Sequence, residues 1–193
     1  MEKKEIESFC PANRQEWREW LEENHRSKPS VWLVYYKPKA SKSTLSYGEA
    51  VDEALCFGWI DSTLRALDEE RLMQFFCKRK PQSVWSKINK EKVERLIREG
   101  LMTEAGFASI EIAKQNGFWS ILDEVEELNI PADLDAAFQN FPGSRDYFMS
   151  LSKSAKKQIL TWLVLAKQAD TRQKRIAEIA ELAGQQLKPK QFR

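Results

Sequence analysis

Histidine is the scarcest reactive group in this chain, with His25 alone representing it. That scarcity excludes Ser-His-Asp and Cys-His nucleophile arrangements and every metal site built on several imidazoles. Cysteine is almost as thin. Cys10, Cys56 and Cys77 are odd in number, far apart, and form no C-x-x-C pair, so neither a disulfide framework nor a zinc site is expected. No G-x-S-x-G, no phosphate-binding P-loop and no G-x-G-x-x-G occurs. No cofactor is expected. Long apolar runs are missing too. The strongest, Thr161 to Ala166, is far short of the roughly 20 residues a membrane span requires. The opening residues, Met1-Glu2-Lys3-Lys4-Glu5, are charged and no apolar region follows them, unlike a secretory signal. The expected location is a reducing cytoplasm.

What remains is a composition able to bury a core. Of 193 residues, 42% are hydrophobic and 31% charged, enough for one large domain or two small ones. Net charge is only +2, but it is unevenly placed. Arg71 to Arg98 holds nine Lys or Arg against two Glu, and Ser150 to Arg193 holds ten basic against three acidic residues. Glu111 to Ala136 holds one Lys against seven acids. Blocks of this kind mark either anion-binding faces or solvated helix faces.

Local patterns give the organisation. Asn13 with Glu16 reads as the start of a helix that carries Trp17, Trp20 and Leu21 on one face and ends at His25. Val31 to Tyr36 reads as a strand and Lys37 to Thr44 as a polar loop. Ser46 and Glu49 form a second capping box, opening a helix that stops at Gly58. Trp59 to Arg65 and Leu72 to Lys78 read as an antiparallel hairpin sharing a sheet with Val31 to Tyr36. From Ser86 onward the pattern is helical. Helices are expected over about 87–99, after Thr103, weakly over 121–128, over about 132–140, after Pro142, after a Ser152 cap, and after Asp170 with Gln173. Asn129-Ile130-Pro131 interrupts the chain. The expectation is therefore an α+β fold: a small antiparallel sheet of about three strands packed with helices over residues 1–129, then a helical region over 130–193. Trp17, Trp20, Trp32 and Trp162 fall at core spacing.

Two segments carry the candidate chemistry. In Cys56-Phe57-Gly58-Trp59-Ile60-Asp61-Ser62 a helix ends, turns at glycine and enters a strand. Asp61 there is either an acceptor or base in a cleft, or an edge residue. In Lys78-Arg79-Lys80-Pro81-Gln82-Ser83-Val84-Trp85-Ser86-Lys87-Ile88-Asn89, three cations precede a proline turn, an aromatic and a helix start. That combination suits an anion, with charge from the cations and unpaired N–H groups from the helix start. Ser86 either caps the helix or holds an oxyanion. The candidate ligand-binding set is Trp59, Asp61, Arg79, Lys80, Trp85, Ser86 and Asn89, for a small anionic ligand. An enzyme using Asp61 as base is the catalytic version of the same site. The rival class is binding of nucleic acid or an acidic partner through Lys167, Arg172, Lys174, Arg175, Lys188 and Lys190. Cys56 lies at a helix C-terminal end, where the dipole disfavours a thiolate, and reads as core.

Leu45 to Ser62 (LSYGEAVDEALCFGWIDS) and Arg79 to Met102 (RKPQSVWSKINKEKVERLIREGLM) resemble the YdeI/OmpD-associated family of bacterial proteins. Leu151 to Pro189 is similar to that family's helical C-terminal region, with Ala166-Lys167, Thr171-Arg172 and Arg175-Ile176 at the matching places. The family often reads Arg-Phe-Thr-Pro-Arg where this chain has Gln74-Phe75-Phe76-Cys77-Lys78-Arg79. The resemblance implies a bacteriocin-protection or antimicrobial-peptide tolerance role under stress, and it carries no catalytic residues over.

Overall fold

Four short strands and a run of helices make up the chain in a computed structural model that describes residues 7–38, 40, 42 and 45–193. Part of the loop expected over 37–44 lies outside the described residues. Two compact units divide it, Met1–Trp119 and Ser120–Arg193.

In the first unit the order is β1 (Ser8–Phe9), α1 (Arg14–Asn24), β2 (Ser30–Tyr36), α2 (Tyr47–Cys56), β3 (Trp59–Ala66), β4 (Arg71–Lys78), α3 (Lys87–Arg98) and α4 (Glu104–Gln115). The sheet order is β1-β2-β4-β3. The β3–β4 hairpin and the β2–β4 pairing are antiparallel, as the alternation predicts. The sheet has one strand more than expected. Two residues, Ser8 and Phe9, add to β2 in parallel, too short a run to show a period.

The caps behave as their side chains dictate. Asn13 accepts from the Glu16 N–H at 3.0 Å and opens α1. Ser46 and Glu49 complete a reciprocal capping box on α2. Gly58, at φ +70°, makes the turn out of α2 that a β-carbon would strain. Register then decides which side chains share a face. Asp61 pairs with Phe76, Leu33 with Gln74 and Tyr35 with Leu72, so these six point to the side that the helices cover. Trp17 packs on Phe76 and Trp20 on Trp59, which places α1 over that face. Trp32 lies on the other face, half-buried against Phe75 with Arg65 above its ring, rather than in the core.

Helix α2 is buried from Ala50 to Cys56, polar residues included. Glu53, 2% exposed, is held by Arg14 at 2.5 Å and Arg18 at 2.7 Å, both from α1. Asp52 is held at 2.5 Å by Lys92 and by Arg95 of α3. These forks hold the central helix to its two neighbours, and they compensate charges that would otherwise be very costly to bury.

The second unit contains α5 (Asp123–Glu126), α6 (Ala132–Phe138), α7 (Ser144–Ser150), α8 (Lys153–Val164), α9 (Ala169–Gly184) and a 3-10 turn at Lys190–Phe192. The break expected at Asn129-Ile130-Pro131 falls inside this unit. The short α5 belongs to it because Glu126 pairs with Lys157 and Val125 is buried. Ser152 caps α8 as expected. Asp170 instead sits in the first turn of α9, whose N-cap is Gln168. Trp162 is half-buried rather than core, edge-on to Phe192. Among the described residues no helix is long and apolar enough to cross a membrane.

Candidate functional site

Where α2 ends and β3 begins, the Gly58 turn meets the end of β4 and the face of α4. Gly58 and Gly106 permit this. A β-carbon at Gly106 would lie 2.3 Å from the Cys56 carbonyl oxygen, and one at Gly58 would lie 2.8 Å from the Ala105 carbonyl oxygen. Thr103 adds a hydrogen bond from its hydroxyl to the Cys56 carbonyl at 2.7 Å. The cleft left beside this junction has a volume of about 370 Å³, and its lining includes His25, Arg26, Trp59, Lys78, Arg79, Lys80 and Trp85. Four of the seven candidate residues therefore meet in one place.

Arg79 is its centre. Its guanidinium carbon lies 3.6 Å from the centroid of the Trp85 ring, its Nη1 donates to the Val84 carbonyl at 3.1 Å, and its Nε is buried with no hydrogen-bond partner. No carboxylate among the described residues forms an ion pair with it. Burial pushes its pKa down to about 10, against the opposing influence of Asp61 and Cys77, so the group is cationic at neutral pH. Trp59 and Trp85 are each 1% exposed, and so give the cleft walls rather than open stacking platforms.

The other three candidates stand elsewhere. Ser86 caps α3, accepting from the Asn89 backbone N–H at 3.3 Å, and neither residue lines the cleft. A serine before a helix satisfies an unpaired donor more readily than it waits for a ligand. Asp61 is two residues beyond Trp59, roughly 7 Å further along the strand, and it lines a second cleft with a volume of about 830 Å³. There the Tyr47 hydroxyl and Gln74 Nε2 both donate to Asp61 Oδ2, at 2.9 and 3.0 Å. Tyr35, Leu64 and Leu72 line the same space. Burial first, then the bond to Asp61, raises the Tyr47 phenol to about 12. Burial and the Asp61 charge also raise Tyr35. Sequence reasoning missed Tyr35, Tyr47 and Gln74. Strand alternation was the available clue, since Tyr35, Asp61 and Gln74 share a sheet face.

Cys56 is fully buried, and burial followed by the Glu53 charge pushes its thiol up to about 11, which leaves it inert near neutrality. Among the described residues no group of three His, Cys, Asp or Glu is placed to hold a metal ion.

In the second unit, two of the basic residues on the rival surface are committed internally. Arg172 makes a bidentate contact to Asp133, at 2.7 and 2.9 Å, and reaches the Leu163 carbonyl. Arg175 donates to the Trp162 carbonyl and stacks 4.8 Å from the Trp162 ring. The Thr-Arg-x-x-Arg pattern thus joins α9 to α6 and to the end of α8.

No curated protein and no solved structure matches the chain. Two family models do. One, described as bacteriocin-protection, YdeI or OmpD-associated, matches residues 127–186. Residues 9–109 match a different model, a domain of unknown function designated DUF8412. The match to the YdeI/OmpD-associated model is thus confined to the C-terminal helices, and the stretches from Leu45 to Ser62 and from Arg79 to Met102 fall under the DUF8412 match. The chain belongs to the family defined by that domain of unknown function and carries a YdeI/OmpD-associated, bacteriocin-protection segment in its C-terminal part.

Proposed function

We propose that the N-terminal unit binds a small anion, of carboxylate or phosphate-ester size, in the cleft between the Gly58 turn and α4. The protein on this reading is a ligand-binding member of the bacteriocin-protection group, acting in tolerance to stress. One observation carries it: Arg79 is a mostly buried cation with no carboxylate partner among the described residues and an unbonded Nε. A buried charge of this kind is costly unless something offsets it. The cations beside it, Lys78 and Lys80, repel it rather than neutralise it. An anion offsets the charge and supplies the missing acceptor. Trp85 holds the guanidinium flat, which presents its donors as a fork.

The test is calorimetric titration of the full chain with inorganic phosphate, pyrophosphate and a short dicarboxylate. At least one is expected to bind to the wild type and to bind about tenfold more weakly to Arg79→Met, the loss expected for one charge-assisted contact. Equal affinity in wild type and Arg79→Met would remove the proposal.

A further inference from the structure

The second cleft offers the opposite charge. Two carboxylates line it: Glu49, whose Oε2 accepts from the Ser46 backbone N–H and hydroxyl in the capping box, and Asp61, with which no described cation forms an ion pair. Both hydrogen bonds to Asp61, from Tyr47 and Gln74, end on Oδ2. Oδ1 receives none from a described residue. Tyr35, only 4% exposed, lines the same space, and its hydroxyl has no hydrogen-bond partner among the described residues. Among the described residues Lys37 is the lysine lining this cleft, but its ammonium is committed to the carbonyl oxygens of Asp68 and Glu69, at 3.0 and 2.8 Å. The rest of the described lining is mixed: Tyr36, Leu45, Leu64, Leu72 and the ring of Tyr47 give it an apolar wall, and Ser46, Glu49 and Ser62 add polar groups. Tyr47 and Leu64 are about half exposed, so the cleft opens to solvent.

We propose that this cleft binds an organic monocation, an ammonium or guanidinium carried on an apolar body. The geometry supplies each element such a ligand requires. Asp61 Oδ1 accepts the charged N–H group, and its partner oxygen is already saturated, so the carboxylate is oriented before the ligand arrives. The Tyr35 hydroxyl provides a second acceptor. The tyrosine rings offer π-faces to the cation, and the leucines take the apolar body. Tyr47 serves as the fixed donor that holds Asp61 in place. The volume, about 830 Å³, accommodates a ligand of drug-like size. An anion is disfavoured here by the Asp61 charge, just as a cation is disfavoured at Arg79. The two clefts therefore select opposite classes, and this inference stands independently of the anion proposal.

The probes are benzylammonium and its neutral isostere benzyl alcohol, titrated by ligand-observed NMR against the full chain near pH 7.5. Benzylammonium is expected to bind about tenfold or more tightly than benzyl alcohol, the difference one charge-assisted contact supplies. Asp61→Asn should lower benzylammonium affinity by a similar factor and leave benzyl alcohol unchanged. Tyr35→Phe should weaken benzylammonium more modestly. Arg79→Met should change neither probe. The comparison of the two probes on the wild type requires no variant to fold. Absence of benzylammonium binding, equal binding of both probes, or unchanged affinity in Asp61→Asn would overturn the proposal. So would a loss in Arg79→Met as large as that in Asp61→Asn, because the probe would then be in the other cleft.

Discussion

Gly106 of α4 meets Cys56 of α2 backbone to backbone, so closely that a β-carbon on Gly106 would stand 2.3 Å from the Cys56 carbonyl oxygen and 2.6 Å from the Met102 methyl. Backbone cannot yield as a flexible side chain does. Gly106→Ala should therefore destabilise the protein by about 1–3 kcal/mol, the usual cost of overpacking. Urea unfolding measures the cost. Gly48→Ala is the control: its β-carbon would meet only Ser46 Oγ, at 3.8 Å. That change should be neutral, or stabilise by about 0.5–1 kcal/mol through helix propensity.

Glu53 is the most deeply buried carboxylate in the N-terminal core, and both its oxygens are engaged by arginines. Glu53→Ala removes the acceptor shared by Arg14 and Arg18, leaving Arg18 with Glu22 and the Leu101 carbonyl, and should cost about 3–5 kcal/mol. Arg14→Ala should cost about 1 kcal/mol or less, because Arg14 is more than a third exposed and Arg18 remains paired with Glu53. Comparison of the two midpoints in denaturant separates these cases. Equal losses would show that Arg18 does not hold the pair by itself.

Tyr47 links stability to pH at the alkaline end. Its folded pKa, about 12, lies above that of a free phenol because burial, then the hydrogen bond to Asp61, favours the neutral form. A group with a raised folded pKa contributes stability that is complete below its unfolded pKa. That contribution is lost as pH rises from about 10, the free phenol value, through about 12. Tyr47→Phe should thus flatten the fall in stability over this window. It should also remove the last phenolate step from an absorbance titration at alkaline pH. An unchanged final step would show that Tyr47 is not the delayed phenol.

The sheet hairpin and the main helices were legible because each carries its own local evidence: Asn13, Ser46 and Ser152 as caps, Gly58 as a stop, and period-two runs in the strands. The strand Ser8–Phe9 was not, since two residues have no period and pair only because β2 offers an edge. The cationic cleft was legible because Trp59, Arg79, Lys80 and Trp85 lie in two segments that meet at the Gly58 turn. Asp61 lies in a different cleft from Trp59 for a geometric reason. Proximity in sequence suggested that it shared a site with Trp59, whereas strand rise carries it past the cleft to Tyr47 and Gln74. Those partners come from α2 and β4, at a distance in sequence that only the register reveals. Asp52 and Glu53 were hidden differently: acidic residues in a helix read as solvent-facing until their four basic partners are placed.

The basic C-terminal helices provide the last prediction. Arg172 has an accepting carboxylate in Asp133, whose own pKa is held below the ordinary carboxylate range by that hydrogen bond. Arg175 is committed to the end of α8. Residues spent on holding helices together are poor phosphate ligands. Arg172→Met should therefore lower stability, by about 1 kcal/mol given the partial exposure of both partners, without changing the salt at which the full chain leaves heparin. Were these arginines contacting a polyanion instead, each loss would reduce the slope of log affinity against log salt by about one unit. A heparin or DNA salt series on wild type and Arg172→Met distinguishes the two outcomes. A reduced slope in the variant would restore the polyanion reading of the C-terminal unit.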